Sequence, residues 1–341
     1  MKIKYDFIII GGGSSGAIIA RRLSDSFKDK NILLLEAGGN DNKSIIKIPA
    51  GYGYLFYNKK YNWKFTTEKT PGLNNRQDYW PRGKVLGGSS SINAMVYIRG
   101  QKEDYDNWES LGNFGWGWED VLPYFLKHEN NILGKSEYHN DGGPIFISDI
   151  KKERHKLSDI FIQTCIKNGI KLNNDFNGVS QEGAGLFQLN VRNGSRSSSS
   201  SEYLKKIKNN NLTIILKAHV SKIIINNNSK ATGVEYIKNN KKFVVDCSNE
   251  IILSAGTINS PQILQLSGIG DNNFLKKMKI QTTKNLPGVG QNLQDHLNIA
   301  IHYESKIPTL NDELRPYSKK IYHALKWFFT KNGPLSISIN Q

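Results

Sequence analysis

The start of the chain carries a pattern of apolar positions that predicts a strand, a glycine turn and a helix. Residues 5–10 (YDFIII) form a short apolar run rich in β-branched side chains, and the glycine-rich stretch 11–16 (GGGSSG) follows it. Apolar residues then recur at helical spacing up to Leu23. A second apolar run, residues 31–35 (NILLL), ends at Glu36. Together these segments predict a βαβ unit of about 30 residues.

The segment that follows this unit shows no persistent period. Residues 40–100 are rich in Gly, Pro, Tyr and Trp, which predicts an extended excursion. Beyond it, residues 101–129 predict two helices, the second near 118–127, and residues 151–171 predict another helix. The middle part of the chain is therefore expected to be an excursion followed by helices.

Strand patterns dominate from residue 212 to residue 253. Apolar runs succeed one another there, and Asn-rich turns separate the middle ones; the runs are LTIIL, HVSKIIIN, ATGVEYI, and KKFVVDC leading into EIILSAG. A helix is expected over residues 260–266, and another near residues 321–329. The combination of a βαβ unit with further strands and helices predicts an α/β protein.

The length and composition allow a large folded protein and restrict its class. With 341 residues and 38.5 kDa, the chain has room for two domains or for one large α/β domain. Hydrophobic residues make up 38% of it, enough for a core, yet no run of about 20 apolar residues could span a bilayer. No integral membrane segment is therefore expected. The first residues carry no signal-type segment, which indicates a cytoplasmic address, with peripheral association at the inner membrane left open.

Charge and cysteine content exclude further classes of protein. An excess of 46 basic over 30 acidic residues gives a net charge of +16, which would suit a nucleic-acid partner. The lysines are scattered in short groups, however, and no nucleic-acid-binding motif is present, so no such partner is expected. Cys165 and Cys247 are the only cysteines. They exclude a disulfide framework and a zinc cluster with paired-cysteine spacing, and no metal is expected.

The glycine turn has the spacing of a dinucleotide-binding motif. Gly11, Gly13 and Gly16 form the pattern GxGxxG between a strand and a helix, where backbone N–H groups can face a pyrophosphate. Glu36 lies at the end of the second strand, 20 residues beyond Gly16, and its carboxylate can accept hydrogen bonds from ribose hydroxyls. The motif predicts an adenine dinucleotide, and at this point NAD and FAD are both open.

Four later segments resemble signatures of one enzyme family. Residues 83–106 (GKVLGGSSSINAMVYIRGQKEDYD) resemble the first signature of the glucose-methanol-choline (GMC) family of FAD-dependent oxidoreductases. Residues 256–270 resemble the second signature, with Gln265 where an apolar residue is usual. Residues 286–296 and 194–204 resemble two further family segments, and the order of all four matches the family. The chain is most similar to the choline dehydrogenase-like alcohol dehydrogenases, so the resemblance favours FAD over NAD.

The resemblance implies an α/β fold with two domains. One is a Rossmann-like FAD-binding domain with excursions, formed by residues 1–150 and 197–298. The other is an incomplete antiparallel-sheet substrate domain, formed by residues 151–196 and 299–341. Because the family carries its catalytic base near a C-terminus that would lie beyond Gln341, the chain is expected to be a fragment that cannot turn over alcohols.

The resemblance also implies which residues contact FAD. The glycine loop would bind the pyrophosphate, Glu36 the adenosine ribose, and the backbone of Val220 the adenine, while residues 85–96 would follow the flavin half. Alternation alone would explain Val85 and Val220 as strand core, and the resemblance reverses that preference. Ile92 stands where some choline-oxidising relatives attach the flavin through a histidine, so non-covalent FAD is expected. The matched positions are Gly11, Gly13, Ser14, Ser15, Gly16, Glu36, Ala37, Arg82, Val85, Gly88, Ser89, Asn93, Ala94, Met95, Val96 and Val220.

The reaction that the resemblance implies is oxidation of a primary alcohol to the aldehyde. The carbinol hydride would pass to flavin N5, and a quinone, oxygen or another acceptor would reoxidise the flavin. The alcohol would be choline-like, aliphatic or aromatic. Two alternatives stay open: a NAD-dependent dehydrogenase on the same glycine motif, and an FAD-binding fragment or lyase without redox turnover. No catalytic residue is assigned, because no histidine, His296 included, belongs to an acid and nucleophile constellation.

Overall fold

The structure, a computed structural model, describes residues 4–296 and 298–338. The helices are α1 (Ser14–Ser26), α2 (Ser44–Lys47), α3 (Tyr52–Leu55), α4 (Lys102–Ser110), α5 (Trp118–His128), α6 (Lys156–Lys167), α7 (Ser199–Glu202), α8 (Gly256–Leu266), α9 (Asn272–Lys277), α10 (Leu310–Leu314) and α11 (Tyr317–Thr330). The strands are β1 (Lys4–Ile10), β2 (Ile32–Glu36), β3 (Phe65–Thr66), β4 (Tyr79–Trp80), β5 (Val96–Tyr97), β6 (Glu129–Asn131), β7 (Ile145–Ile147), β8 (Gln188–Leu189), β9 (Val191–Arg192), β10 (Ser195–Arg196), β11 (Leu212–Leu216), β12 (His219–Ile225), β13 (Ala231–Lys238), β14 (Lys241–Leu253), β15 (Ile269–Gly270) and β16 (Lys284–Asn285).

The chain forms two compact units, each built from three separate stretches of sequence. The first unit comprises Met1–Asn42, Leu55–Ile92 and Ser199–His302, and the second comprises Lys43–Tyr54, Asn93–Ser198 and Tyr303–Gln341. The family resemblance implies different domain ranges, which stay a prediction: 1–150, 151–196, 197–298 and 299–341. Their outermost residues, 1–3 and 339–341, lie outside the described residues.

A six-stranded sheet is the framework of the first unit. Its strand order is β11-β2-β1-β14-β13-β12. The first four strands run parallel, and β13 and β12 continue the sheet in antiparallel fashion. Ile9 in β1 pairs with Leu34 on one side and with Ile252 on the other. This parallel-dominated sheet confirms the predicted α/β class and its Rossmann-like character.

The central strands are apolar at nearly every position because both faces of the sheet are covered. Ile8 and Ile10 belong to one buried cluster with Val220 and Val234. The residue between them, Ile9, belongs to a second cluster that contains helix α1 residues. Successive side chains of a strand point to opposite faces, so a continuous apolar run is what a strand buried on both sides requires.

Strand β14 is longer than the sequence predicted. The run KKFVVDC and the first four residues of the run EIILSAG form one continuous strand from Lys241 to Leu253. Its first half pairs with β13 and its second half with β1, so it joins the antiparallel hairpin to the parallel sheet. Asn239 and Asn240 form the hairpin turn with φ of 49° and 59°. Both angles are positive, as the tight type I′ turn demands, and Asn tolerates that region well.

The first residues of two helices differ from the predicted ones, and a proline in one and a capping side chain in the other explain the difference. Helix α8 begins at Gly256, one turn before the predicted start at 260, so Pro261 lies inside the helix. A proline favours the first helical turn, which explains the misplaced start. Helix α6 begins at Lys156 because the side chain of His155 accepts a hydrogen bond from Leu157 N. Helix α9 was not predicted.

The second unit contains short strand pairs and helices. Strands β5 and β8 and strands β9 and β10 pair antiparallel, and β6 pairs parallel with β7. A small core packs beside them, formed by Met95, Ile150, Leu189, Val191 and Ile337. Within residues 4–296 and 298–338, no helix combines the length and the apolar character that crossing a bilayer requires.

A buried ion cluster links four segments of the second unit. The Arg99 guanidinium lies 2.9 Å from a Glu129 oxygen. His139 bridges two carboxylates, with Nδ1 at 3.1 Å from Glu129 and Nε2 at 2.9 Å from Asp175. Burial opposes the charged form of His139, but its hydrogen bonds to Asp175 and Glu129 prevail and raise its pKa to about 9. The cluster therefore holds two cations and two anions at neutral pH.

Candidate functional site

The first unit contains a cavity of about 510 Å³ at the carboxyl ends of its parallel strands. Ile10, Glu36 and Leu253, the last residues of β1, β2 and β14, all line it. Ligands of open α/β sheets bind outside the carboxyl ends of the strands, and the volume falls in the usual range for small-molecule sites. The cavity is therefore the candidate binding site of this unit.

The glycine loop is packed too closely for a larger residue at Gly11 and at Gly16. Gly11 has φ of 98°, and a Cβ built on it would lie 2.5 Å from the Ser254 carbonyl oxygen. A Cβ on Gly16 would lie 1.9 Å from the Gly11 oxygen, so helix α1 rests directly on the loop. A Cβ on Gly88 would lie 2.6 Å from the Gly13 Cα. The GxGxxG loop and the GGSSS loop thus meet backbone to backbone.

The N-terminus of helix α1 opens into this cavity. Gly13 precedes the helix and supplies no side-chain cap, and Gly13, Ser14 and Ser15 all line the cavity. The first amides of a helix lack intrahelical partners, and the helix dipole places partial positive charge there. This end of the thirteen-residue helix is therefore suited to an anionic group such as a phosphate.

Glu36 also lines the cavity, and both of its carboxylate oxygens accept hydrogen bonds from backbone amides. Oε2 accepts a hydrogen bond from Gly12 N at 2.8 Å, and Oε1 accepts one from Gly38 N at 2.7 Å. Burial raises the pKa of Glu36 to about 7, against the two amides and the positive charge of Lys84. A carboxylate oxygen can accept more than one hydrogen bond, so Glu36 keeps capacity for ligand hydroxyl groups.

Aromatic rings that sequence reasoning missed form the wall near Glu36. Trp63 and Phe65 stack with ring centroids 5.9 Å apart, and Trp63 meets the His219 ring edge to face at 5.5 Å. All three residues line the cavity. Trp63 precedes strand β3, Phe65 begins β3 and His219 begins β12, so His219 is more than 150 residues from the other two in sequence. No local pattern could have paired them.

A second helix begins at the cavity, and the sequence contained a pattern that could have predicted it. Strand β14 ends at Leu253, Gly256 follows with φ of 85°, and helix α8 begins there. This repeats the strand, glycine and helix order of β1 and α1. The further lining residues not predicted are Ile10, Ile19, Leu35, Gly83, Ala218, Leu253, Ser254, Ala255, Gly256, Thr257, Ile258, Asn259, Ser260, Gln262 and Ile263.

Ten of the predicted residues line the cavity together, and their roles toward a cofactor stay a prediction. Two others support it from behind: Gly16 packs on the loop, and the fully buried Val85 bridges to Gly39. The ten lining residues are Gly11, Gly13, Ser14, Ser15, Glu36, Ala37, Arg82, Gly88, Ser89 and Val220.

The remaining predicted residues, Asn93 to Val96, belong to the second unit. Asn93 is exposed, and its Oδ1 accepts hydrogen bonds from Arg196 Nη1 at 2.8 Å and from Met95 N at 3.2 Å. Met95 is buried with φ of 63°, a conformation that non-glycine residues seldom adopt. Arg196, itself buried, also donates to the Ile46 carbonyl at 2.9 Å. These bonds hold the segment in a fixed, strained conformation.

Comparison with known proteins now decides the family. The GMC oxidoreductase family model matches residues 5–298. The chain belongs to the GMC oxidoreductases. The resemblance found in the sequence is thereby confirmed.

Relatives of this GMC chain include dehydrogenases and oxidases. It is 42% identical over 335 residues to an oxygen-dependent choline dehydrogenase of Vibrio vulnificus, covering 98% of this chain and 60% of that protein. It is 45% identical over 301 residues to an alcohol dehydrogenase [acceptor] of Pseudomonas putida, covering 87% and 54%. A solved formate oxidase of Aspergillus oryzae, in which FAD modification was studied, has a TM-score of 0.88 and 27% identity over 99% of this chain and 61% of its own. The chain spans about three fifths of the length of these relatives.

Proposed function

We propose that this GMC chain binds FAD without a covalent bond in the cavity of the first unit, as part of an enzyme that oxidises a primary alcohol to the aldehyde. The observation that carries the proposal is the meeting of an uncapped helix N-terminus and a buried carboxylate in one cavity, at the carboxyl ends of parallel strands. Membership of the GMC family supports the same cofactor.

The donor and acceptor groups of the cavity fit the chemistry of a flavin adenine dinucleotide. The α1 amides next to Gly13 would bind the diphosphate, where the bare Gly13 and Gly88 backbones let a ligand approach closely. Glu36 would accept hydrogen bonds from ribose hydroxyls, and Trp63 and His219 offer a ring surface for the purine. FAD, when bound, supplies an isoalloxazine ring that can accept a hydride.

The non-covalent mode rests on Ile92. Its side chain is aliphatic and 2% exposed, so it offers no nucleophile at the position where some choline-oxidising relatives carry a flavin-linked histidine. Acid precipitation of the yellow protein should release all flavin into the supernatant. Flavin that stays in the washed pellet would contradict this part of the proposal.

The substrate and the electron acceptor are proposed from the relatives. The names choline dehydrogenase and alcohol dehydrogenase support a choline-like, aliphatic or aromatic primary alcohol, with a quinone or oxygen as acceptor. A cytoplasmic address stays a prediction, as does peripheral association with the inner membrane. No residue of the described chain is proposed as the catalytic base.

Absorption spectroscopy of the purified protein tests the proposal. The purified protein, incubated with FAD and gel-filtered, should absorb blue light. Anaerobic addition of choline or benzyl alcohol should bleach that band in an enzyme that also carries a catalytic base. A colourless protein that binds NAD would favour the NAD-dependent alternative. A yellow protein without such a base should stay unbleached, as a binding fragment would. A yellow enzyme that carries the base and is bleached by no primary alcohol would favour a lyase, and would overturn the proposed reaction while leaving the cofactor in place.

A further inference from the structure

Three side chains of the first unit form a line of contacts that ends on the cavity wall. Trp63 and His219 line the cavity with their ring centroids 5.5 Å apart, edge to face. Lys84 lies behind them, with its Nζ 4.4 Å from the centroid of the Trp63 ring. A lysine over an indole face is a favourable cation–π arrangement. Lys84 does not line the cavity itself, and the lining residue whose ring it contacts is Trp63.

The backbone of Lys84 is tied to the Glu36 side of the same cavity. Lys84 N donates to the Tyr61 carbonyl at 2.8 Å. A Cβ built on Gly38 would lie 2.1 Å from the Lys84 carbonyl carbon, so the two backbones touch. Gly38 N in turn donates to Glu36 at 2.7 Å. Lys84 thus contacts Gly38, which binds the Glu36 carboxylate, through its backbone, and the Trp63 ring through its side chain.

The charge of Lys84 acts on both titratable groups at this end. Burial and the nearby ammonium group lower the pKa of His219, which keeps its imidazole neutral at neutral pH. The same ammonium partly counters the effect of burial on Glu36. A neutral ring surface next to a carboxylate suits a purine joined to a ribose, since aromatic faces stack on any base.

We propose that Lys84 is a positioning residue for the adenine end of FAD: through its contact with Trp63 it fixes the Trp63 and His219 rings as the wall against which the purine binds. The inference rests on the proposed function, because it needs the dinucleotide in this cavity. It assigns to Lys84 a role in binding without contact with the ligand. Any ligand that carries the adenine end should then respond to Lys84, whether or not it has a flavin.

Lys84→Met tests this role because it removes the charge and keeps a side chain of similar length. We expect it to weaken binding of FAD and of ADP by the same factor, about threefold to tenfold, the range of an exposed to partly buried cation–π contact. Lys84→Arg keeps a cation over Trp63 and should restore both affinities to within about twofold. Calorimetric titration of the wild type, Lys84→Met and Lys84→Arg with FAD and with ADP measures the six dissociation constants.

Two controls separate positioning from general damage. Lys60→Met is matched, since Lys60 lies 5.8 Å from the Tyr61 ring centroid in the same unit, is exposed and does not line the cavity; it should leave both affinities unchanged. In a Trp63→Leu background, Lys84→Met should lower both affinities by a smaller factor than in the wild type, because the contact with Trp63 is gone and only the effect of the Lys84 charge on Glu36 and His219 remains. The imidazole proton of His219, followed by NMR, should titrate at higher pH in Lys84→Met.

The outcomes distinguish this inference from the proposed function. If the wild-type protein binds neither FAD nor ADP, the proposed function fails and the inference with it. If the wild-type protein binds both and folded Lys84→Met binds ADP equally well, the inference alone is wrong. The inference is also wrong if Lys84→Met lowers the affinity for ADP by the same factor in the Trp63→Leu background as in the wild type. It is equally wrong if Lys84→Arg does not restore the affinity that Lys84→Met loses.

Discussion

Glu36 is a carboxyl group whose charge is costly in the protein without ligand. Burial raises its pKa to about 7, although two backbone amides and Lys84 favour the charged form. Two hydroxyl donors from a ribose would stabilise that charge further. A ligand that brings these hydroxyl groups lowers the free energy of ionising the buried Glu36. A binding site can thus contain a group that is unfavourable in the free protein and is stabilised by the ligand.

Removing this carboxylate should weaken FAD binding. A hydrogen bond to a charged acceptor contributes about 1.5 to 3 kcal/mol, so Glu36→Ala should lower FAD affinity about tenfold or more. Flavin content after gel filtration measures the effect. Glu68→Ala, at an exposed position of the same unit, is the control and should keep its flavin. Unchanged flavin content in Glu36→Ala would remove Glu36 from the site.

The raised pKa also sets a direction for the pH dependence of binding. Below pH 7 Glu36 is mostly protonated and loses acceptor capacity, so FAD affinity should rise from about pH 6 to about pH 8, by up to about tenfold per unit at the acid end. Fluorescence titration at several pH values measures this. Glu36→Gln cannot ionise and should bind weakly with a flat profile over that range. A wild-type profile equally flat would show that Glu36 stays ionised in the free protein.

At the scale of elements, two glycines at the start of helix α1 differ in whether folding or ligand binding requires them. Gly16 lies where the helix touches the loop, and a Cβ there would meet the Gly11 oxygen at 1.9 Å. Gly13 is different, since its added Cβ would find its nearest neighbour, the Gly88 Cα, at an ordinary 3.8 Å. Its φ of −78° suits any residue. The two glycines are therefore present for different reasons.

Two alanine substitutions should show this difference. Gly16→Ala should destabilise the protein by about 2 to 3 kcal/mol, because the helix must move off the loop. Gly13→Ala should melt close to wild type but weaken FAD binding about tenfold, since a methyl group enters where backbone must approach the phosphates. Thermal melts and FAD titrations of both variants provide the measurement. Gly72→Ala, with no atom within 4 Å of its added Cβ, is the control. Equal melting losses in Gly13→Ala and Gly16→Ala would contradict the distinction.

At the scale of the whole molecule, what the sequence could predict was local. The β1, α1 and β2 elements and Glu36 lie within 36 residues, so periodicity and glycine spacing were sufficient to find them. The pairing of β1 with β14 joins Lys4 to Asp246, and no pattern within one segment specifies such a partner. The Trp63 and His219 wall was missed for the same reason. Resemblance to a family pointed to the glycine-rich segments that line the cavity, but not to the contact of Lys84 with Trp63.

The second unit depends on its buried ion cluster, which predicts a limited pH range of stability. The pKa of His139 is raised to about 9 from 6.5, so its contribution is complete below pH 6.5 and is lost as pH rises through 9. Burial raises the pKa of Glu129 and of Asp175, but the hydrogen bond and charge of His139, the charge of Arg99 and one backbone amide on each carboxylate together outweigh it and lower these pKa values below 4.5 and 3.8. Their contribution is present above those values and is lost as pH falls below the lowered pKa values.

His139→Gln should therefore remove the alkaline part of this dependence. The wild-type free energy of unfolding should decline up to about pH 9, whereas the variant should be flat from about pH 8, above the titration of Glu36. The variant should also be less stable by about 3 to 5 kcal/mol at neutral pH, because the buried Glu129 and the partly buried Asp175 lose their shared cation. Urea unfolding followed by circular dichroism across this range measures both. His302→Gln, at an exposed position, should keep the wild-type slope. An alkaline slope that survives in His139→Gln would mean that another group, and not this cluster, sets the upper limit of stability.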